Sequence, residues 1–210
     1  MARRRTAARQ EIQQAARAVL LRDGVAGLTL EAVAREAGVT KQGLLYHFAS
    51  KEELVFEIWL EECEREAAEI AAAVEAAADG GAALEAIIRT YVERYAKRLD
   101  VFRLVMQQVQ LYDAKSLIGS AQIARIRPLN EQLYGGAERK VAAQRRGRRS
   151  RGSRMDPRRL AFCAYAAAIG IVAIKALVEK FGDPLKHSDE ELITQMGAVF
   201  RAAAATGEPA

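Results

Sequence analysis

The sequence predicts an all-α fold, a three-helix head with a helix-turn-helix followed by a larger helical body, about nine helices in total. Three observations carry that expectation. Half of the 210 residues are apolar, only 6% are aromatic and Pro is limited to four, alongside heavy use of Ala, Glu, Arg and Leu. Apolar residues recur at spacings of three and four through most of the chain. Side chains able to cap a helix, and glycines able to end one, stand at the edges of these periodic segments. No run reads as a strand, and no internal repeat is found.

The first helix starts near Thr6 or Arg9, buries Ile12, Ala15, Ala16, Val19 and Leu20, and stops before Asp23-Gly24. Thr29 caps a second, whose buried stripe is Leu30, Val33, Ala34 and Ala37, and Gly38 ends it. Thr40 caps a third helix, Lys41 to Phe48, and Ser50-Lys-Glu-Glu53 is a capping-box pattern opening a fourth. That fourth helix runs to about Ala78 on a stripe of Leu60, Cys63, Ala67, Ile70 and Val74, until Asp79-Gly80-Gly81 breaks it. Further helices are expected at about Ala82–Lys97, Val101–Leu111, Gln122–Ala143 with a kink or boundary at Pro128, Pro157–Phe181 and Asp189–Ala205. The domain boundary falls at residue 50, giving a head over 1–50 and a body over 51–210.

The net charge of +5 is unevenly spread. Arg145 to Arg159 holds eight Arg against one Asp, a net of +7, which leaves about −2 for the rest of the chain. Global basicity therefore says little about a nucleic-acid partner. Within that stretch, Arg145 to Arg154 lacks apolar periodicity and reads as a flexible loop, solvated in preference to a nucleic-acid patch. Cys63 and Cys163 stand far apart inside apolar helical patterns, which fits reduced core residues in a cytoplasmic protein and neither a disulfide scaffold nor a zinc site. The N-terminal run is interrupted by Gln, Glu and Arg, so no secretory signal is expected.

Leu30 to Phe48 has the physical requirements of a helix-turn-helix. Ala34 must be small where the second helix of the pair crosses, Gly38 supplies the positive φ of the tight turn, and Val39 and Leu44 fasten the turn and the following helix to the core. The segment Thr29 to Leu54 resembles the TetR family of transcriptional regulators, through Gly38-Val-Thr-Lys, Tyr46-His-Phe48 and Ser50-Lys-Glu-Glu-Leu54, with Gly24-Val-Ala-Gly-Leu-Thr29 before them. The resemblance covers the first quarter of the chain. It implies a regulator that binds double-stranded DNA, with the first helix of the motif across the phosphates and the second in the major groove.

By position, the resemblance implies that Thr29 contacts a phosphate and that Lys41, Gln42 and Gly43 open the recognition helix. Lys41 suits guanine or phosphate, and Gln42 suits bidentate pairing with adenine. Tyr46 and His47 approach phosphates and pack the helix, and Lys51 adds a positive charge in the first turn of the fourth helix. Leu45 stands where many relatives carry Tyr, which narrows the implication from a contact set to a docking geometry. His47 and His187 are far apart, so neither metal binding nor general-base chemistry is expected of them. Arg3-Arg-Arg5 is either an arm for a neighbouring groove or a solubilising tail.

Leu160 to Ile174 carries no charge but is shorter than the roughly 20 residues that span a bilayer, so a buried interface helix is expected and no membrane. Ala164, Ala167 and Ile171, with Leu192, Met196 and Val199 of the last helix, are the expected homodimer interface. A two-fold dimer reads a palindromic operator whose half-sites lie about 34–36 Å apart. Trp59, Tyr91, Tyr95, Phe102, Met106, Tyr112 and Tyr134 are either ordinary core or the lining of a cavity for a small apolar or aromatic ligand. The expected function is a repressor released by that ligand; control by a protein partner, or by no effector, is the alternative. No nucleophile with its base and no carboxylate–His set stands out, so neither catalysis nor a cofactor is expected.

Overall fold

A computed structural model describes residues 2–111, 120–146, 155–181 and 187–206, all helices, turns and short links. The helices are α1 (Ala2–Gly27), α2 (Leu30–Glu36), α3 (Lys41–His47), α4 (Lys51–Ala76), α5 (Gly80–Tyr95), α6 (Leu99–Leu111), α7 (Ser120–Asn130), α8 (Gly136–Arg146), α9 (Pro157–Phe181) and α10 (Asp189–Thr206). The chain divides into two compact units, Met1–Glu62 with Arg103–Gly119 and Cys63–Phe102 with Ser120–Ala210. The first unit therefore takes in the opening turns of α4, beyond the boundary at residue 50.

In the first unit, Ile12, Ala16 and Val19 of α1 are buried with Leu28, Val33, Ala34, Leu44, Phe48, Leu54 and Ile58 in one apolar cluster. Helical geometry in α1 breaks at Gly24 (φ 68°, ψ −175°), a backbone conformation that glycine adopts without a Cβ penalty. The capping signals hold. Thr29 Oγ1 accepts from Ala32 N–H at 3.1 Å, and Thr40 Oγ1 from Gly43 N–H at 3.0 Å. Ser50 Oγ accepts from Glu53 N–H at 3.1 Å, but the returning carboxylate of Glu53 takes Ala49 N–H at 2.8 Å, one residue earlier than the simple box.

In the second unit, α5 is the central rod, packed by α8, α9 and α10. The expected break is present, α4 ending at Ala76, but it lies over residues 77–79, and the two glycines belong to the next helix. Asp79 Oδ1 accepts from Ala82 N–H at 2.8 Å and caps α5, which begins at Gly80. A Cβ at Gly80 would lie 2.6 Å from Val141 Cα, so the missing side chain is what lets α8 approach. Lys140 of α8 donates to the carbonyls of Glu75 at 2.9 Å and Ala77 at 2.6 Å, closing the C-terminal end of α4.

Pro128 does not end its helix. It sits inside α7, and a π-turn, Glu131–Gly135, joins α7 to α8. A proline removes an N–H from the helical ladder and crowds the preceding turn, and a widened turn is one way a helix continues past such a defect. Asp156 caps α9 through Arg159 N–H at 3.0 Å, and Ser188 and Glu191 form a reciprocal capping box at α10, at 3.2 and 2.7 Å.

Several sequence expectations are corrected. Val39 is 39% exposed and does not anchor the turn by its side chain; its N–H does, donating to Ala34 O at 2.9 Å, while Leu44 alone is fully buried. Cys163 is exposed and Cys63 only half-buried, because α9 and α4 carry them at the edges of their apolar faces. Arg145 is part of α8, and its guanidinium donates to Met155 O at 2.6 Å and Ala203 O at 3.1 Å; residues 147–154 of the Arg-rich stretch, like Tyr112, lie outside the described residues.

The segment Pro157–Val178 has 22 residues and contains an 18-residue window with a mean hydropathy of 2.1, enough by length and composition to cross a bilayer, so the shorter uncharged run understated it. Only one face of it is buried within the chain. Ala161, Ala164, Ala168 and Val172 are fully buried, and Lys175 pairs with Asp189 at 2.6 Å.

Candidate nucleic-acid interface and the body's buried carboxylate

The turn between α2 and α3 is set by backbone chemistry. Ala37 ends α2, Gly38 takes φ 66°, and Gly38 N–H donates to Arg35 O at 3.2 Å. From that turn α3 projects with only Leu44 fully buried along its length. Lys41, Gln42, Leu45 and Tyr46 are exposed, Tyr46 at 68%, while Gly43 and His47 are half-buried. The recognition face thus presents an ammonium, an amide and a phenol side by side. Thr29 is also exposed, its hydroxyl oxygen accepting the cap bond while its O–H remains a donor, and Lys51 is half-buried in the first turn of α4.

Two features of the head were not read from the sequence. Arg9 of α1 holds the far end of α3: Nη1 donates to His47 O at 2.8 Å, Nη2 reaches Glu53 at 3.2 Å and Glu57 at 3.3 Å, and the guanidinium lies 4.3 Å from the centre of the Phe48 ring. Arg9 lies three residues before Ile12, on the buried stripe of α1, and a charge at such a position was the available signal. The second is an ion pair between Lys41 Nζ and Glu31 Oε1, joining the two helices of the motif.

In the second unit the polar centre is Glu66, a residue of α4 that is 3% exposed. Tyr95 O–H donates to its Oε2 at 2.7 Å and Tyr165 O–H to its Oε1 at 2.5 Å. Burial pushes the carboxyl above its ordinary range, against the pull of the two phenols and of Arg94. Tyr91 is fully buried between them, its ring 4.8 Å from Tyr95 and 5.2 Å from Tyr165, and its hydroxyl finds no hydrogen-bond partner among the described residues. Tyr134, its phenol pushed up to about 12 mainly by burial, packs 5.7 Å from Tyr165 and 5.9 Å from Phe162. Tyr134 and Phe162 also line a recess of about 410 Å³ with Asn130, Asp156, Arg158 and Arg159.

Of the expected ligand-lining residues, then, Tyr91, Tyr95, Phe102 and Tyr134 belong to one aromatic group, with Phe102 5.9 Å from Tyr95. Trp59 and Met106 fall in the first unit, where Trp59 packs on Phe56 at 5.7 Å. Of the expected interface residues, Ala164 and Ile171 face the core of their own chain, Ala167, Leu192 and Met196 are half-buried, and Val199 is 51% exposed. The outward face of α9 is instead Phe162, Ile174 and Leu177, each more than half exposed, because the small residues of α9 turn toward α5.

Residues 12–58 match the family model described as bacterial regulatory proteins, tetR family. The N-terminal segment is similar to a TetR-family head. The match begins on Ile12, a buried residue of α1, and ends on Ile58, the last residue of the head's apolar cluster. The TetR-family resemblance and the all-α architecture are thus both as the sequence predicted.

Beyond the head, the whole chain is similar in fold to known structures. The transcriptional regulator FadR from Bacillus subtilis, solved with stearoyl-CoA, matches at 14% identity and a TM-score of 0.64 over 95% of this chain and 98% of FadR. AibR, solved with isovaleryl coenzyme A and operator DNA, matches at 21% identity and a TM-score of 0.61 over 91% and 96%. A protein of unknown function from Rhodococcus sp. RHA1 matches at 24% identity and a TM-score of 0.70 over 93% and 94%. No curated protein matches the chain. The family match thus covers the N-terminal segment, and beyond it the likeness to these structures is one of fold.

Proposed function

We propose that the chain is a cytoplasmic, homodimeric repressor that holds a palindromic operator and lets it go when a small apolar or aromatic molecule binds the body, acting by binding and not by catalysis. The supporting observation is the head: a turn set by Gly38, two capped helices, and a recognition face of Lys41, Gln42 and Tyr46 left open to solvent. Thr29, Gly43, His47 and Lys51 complete the DNA-contacting set. In the body, the effector's place is the aromatic group of Tyr91, Tyr95, Phe102 and Tyr134 around Glu66. The acyl-CoA ligands of FadR and AibR are the first effectors to test.

Selection of duplexes from a random library should enrich paired half-sites about 34–36 Å apart. Acyl-CoAs of graded chain length and small aromatic compounds are then titrated into the complex. Release supports the reading; retention throughout favours control by a protein partner or none. On the selected duplex, Gln42→Ala should relax base preference, whereas Lys51→Ala should weaken all sequences alike and lower the salt slope by about one. Equal loss across sequence variants in both mutants would sink these roles.

The homodimer is proposed on the outward residues of α9 and α10, Phe162, Ile174, Leu177 and Val199, with Gly170 leaving open space between them. Ala167, Leu192 and Met196 are retained as half-buried flanks. Ile174→Glu should give a folded monomer by light scattering, since an unpaired charge in an apolar interface costs several kcal/mol, about 3–5. An unchanged dimer would place the interface elsewhere.

A further inference from the structure

Lys41 is the first residue of the recognition helix, and its ammonium is already engaged. Its partner, Glu31, lies in the first turn of α2, and both side chains are more than half exposed, 53% and 56%. The ammonium holds the Glu31 carboxyl below its usual range. The backbone that sets the distance between the two helices is fixed by Gly38 and by the bond from Val39 N–H to Ala34 O, so the pair is a property of the motif. A solvent-exposed pair of this kind is weak, and a better acceptor can take the ammonium from it.

We propose that Glu31 is a positioning residue for specificity, acting through Lys41; this rests on the DNA-binding reading of the head. On DNA lacking the recognised sequence, Glu31 keeps the ammonium from neutralising a phosphate and adds its own repulsion to the duplex. On the recognised sequence, a guanine edge offers Lys41 the O6 and N7 acceptors, and the ammonium leaves Glu31 for them. The carboxylate thus lowers binding to indifferent sequences more than to the operator.

The test measures affinity against salt for the full-length wild type, E31Q, K41M and the double mutant E31Q/K41M, on a duplex selected by the wild type and on a scrambled duplex of equal length. On the scrambled duplex, wild type and K41M should share one salt slope. E31Q should bind about two- to fivefold tighter, the range an exposed pair supports, with a slope steeper by about one, and the double mutant should return to the shallow slope. On the selected duplex, K41M should lose affinity while Glu31 is still present, and E31Q should change little, so the ratio of selected to scrambled affinity falls. E31D should preserve that ratio. The proposal is overturned if E31Q leaves the scrambled slope unchanged, or if it weakens both duplexes equally with a lower unfolding midpoint, the signature of a structural role. Failure of the wild type to enrich any duplex removes the DNA-binding reading and this proposal with it.

Discussion

Glu66→Ala should cost about 3–5 kcal/mol of unfolding free energy, while Glu66→Gln leaves the fold intact and changes its pH dependence. Alanine removes the acceptor for two buried phenols, Tyr95 at 2.7 Å and Tyr165 at 2.5 Å, and opens a cavity beside Tyr91, whose hydroxyl is already without a partner among the described residues. Glutamine keeps an acceptor for one phenol and offers a donor to the oxygen of the other. The pH behaviour follows from the direction of the shift. Burial raises the folded carboxyl above its ordinary 4.5, so the folded state holds the proton more tightly than the unfolded one. The stability due to that proton is complete below 4.5 and is lost as pH rises through the raised folded value. Wild type should therefore weaken between acid and neutral pH, and Glu66→Gln should flatten that decline. Denaturant melts at several pH values check both; parallel pH profiles for the two proteins would show that Glu66 does not carry the dependence.

Glu66 also shows why the head was more legible than the body. The two helices of the motif are short, and local side chains set their edges: Thr29, Thr40 and Ser50 accept bonds three residues ahead, opening α2, α3 and α4, and Gly38 turns the chain. Local chemistry of this kind is written in local sequence. Glu66 lies among Glu61, Glu62, Glu64 and Glu69, where a solvated face is the ordinary reading. Its position contradicts that: three residues after Cys63 and four before Ile70, it sits on the apolar stripe of α4. The phenols that justify a carboxylate there come from α5 and α9, 29 and 99 residues away, and nothing local announces them. Gly80 fails to read for the same reason. Its neighbour Asp79 looks like a helix breaker, and only the approach of Val141 reveals that a side chain is excluded. On α9, small residues do mark a close helix contact, but the contact is with α5 of the same chain, and the large apolar residues left outward are Phe162, Ile174 and Leu177.

The second large effect is expected at Arg9, where one side chain makes four contacts at the end of the recognition helix. Arg9→Met should cut affinity for the selected duplex about tenfold or more while costing about 1–3 kcal/mol of stability. The methionine stem still covers part of the Phe48 ring. The lost interactions are the bond to His47 O at 2.8 Å, which satisfies a terminal carbonyl of α3, and the links to Glu53 and Glu57 that tie this end to α4. Without them α3 remains helical, since the Thr40 cap and buried Leu44 are untouched, but its angle to α1 and α4 is no longer fixed. Base contacts demand placement within a fraction of an ångström, so a small loss of orientation falls on DNA affinity more than on folding. Arg9→Lys should not rescue: a single ammonium cannot reach the carbonyl and both carboxylates in the fork geometry of a guanidinium, nor stack flat on Phe48. Binding isotherms and thermal melts on the same samples separate the two effects. Full DNA affinity in Arg9→Met, at any stability, would mean that the caps and Leu44 alone orient the helix.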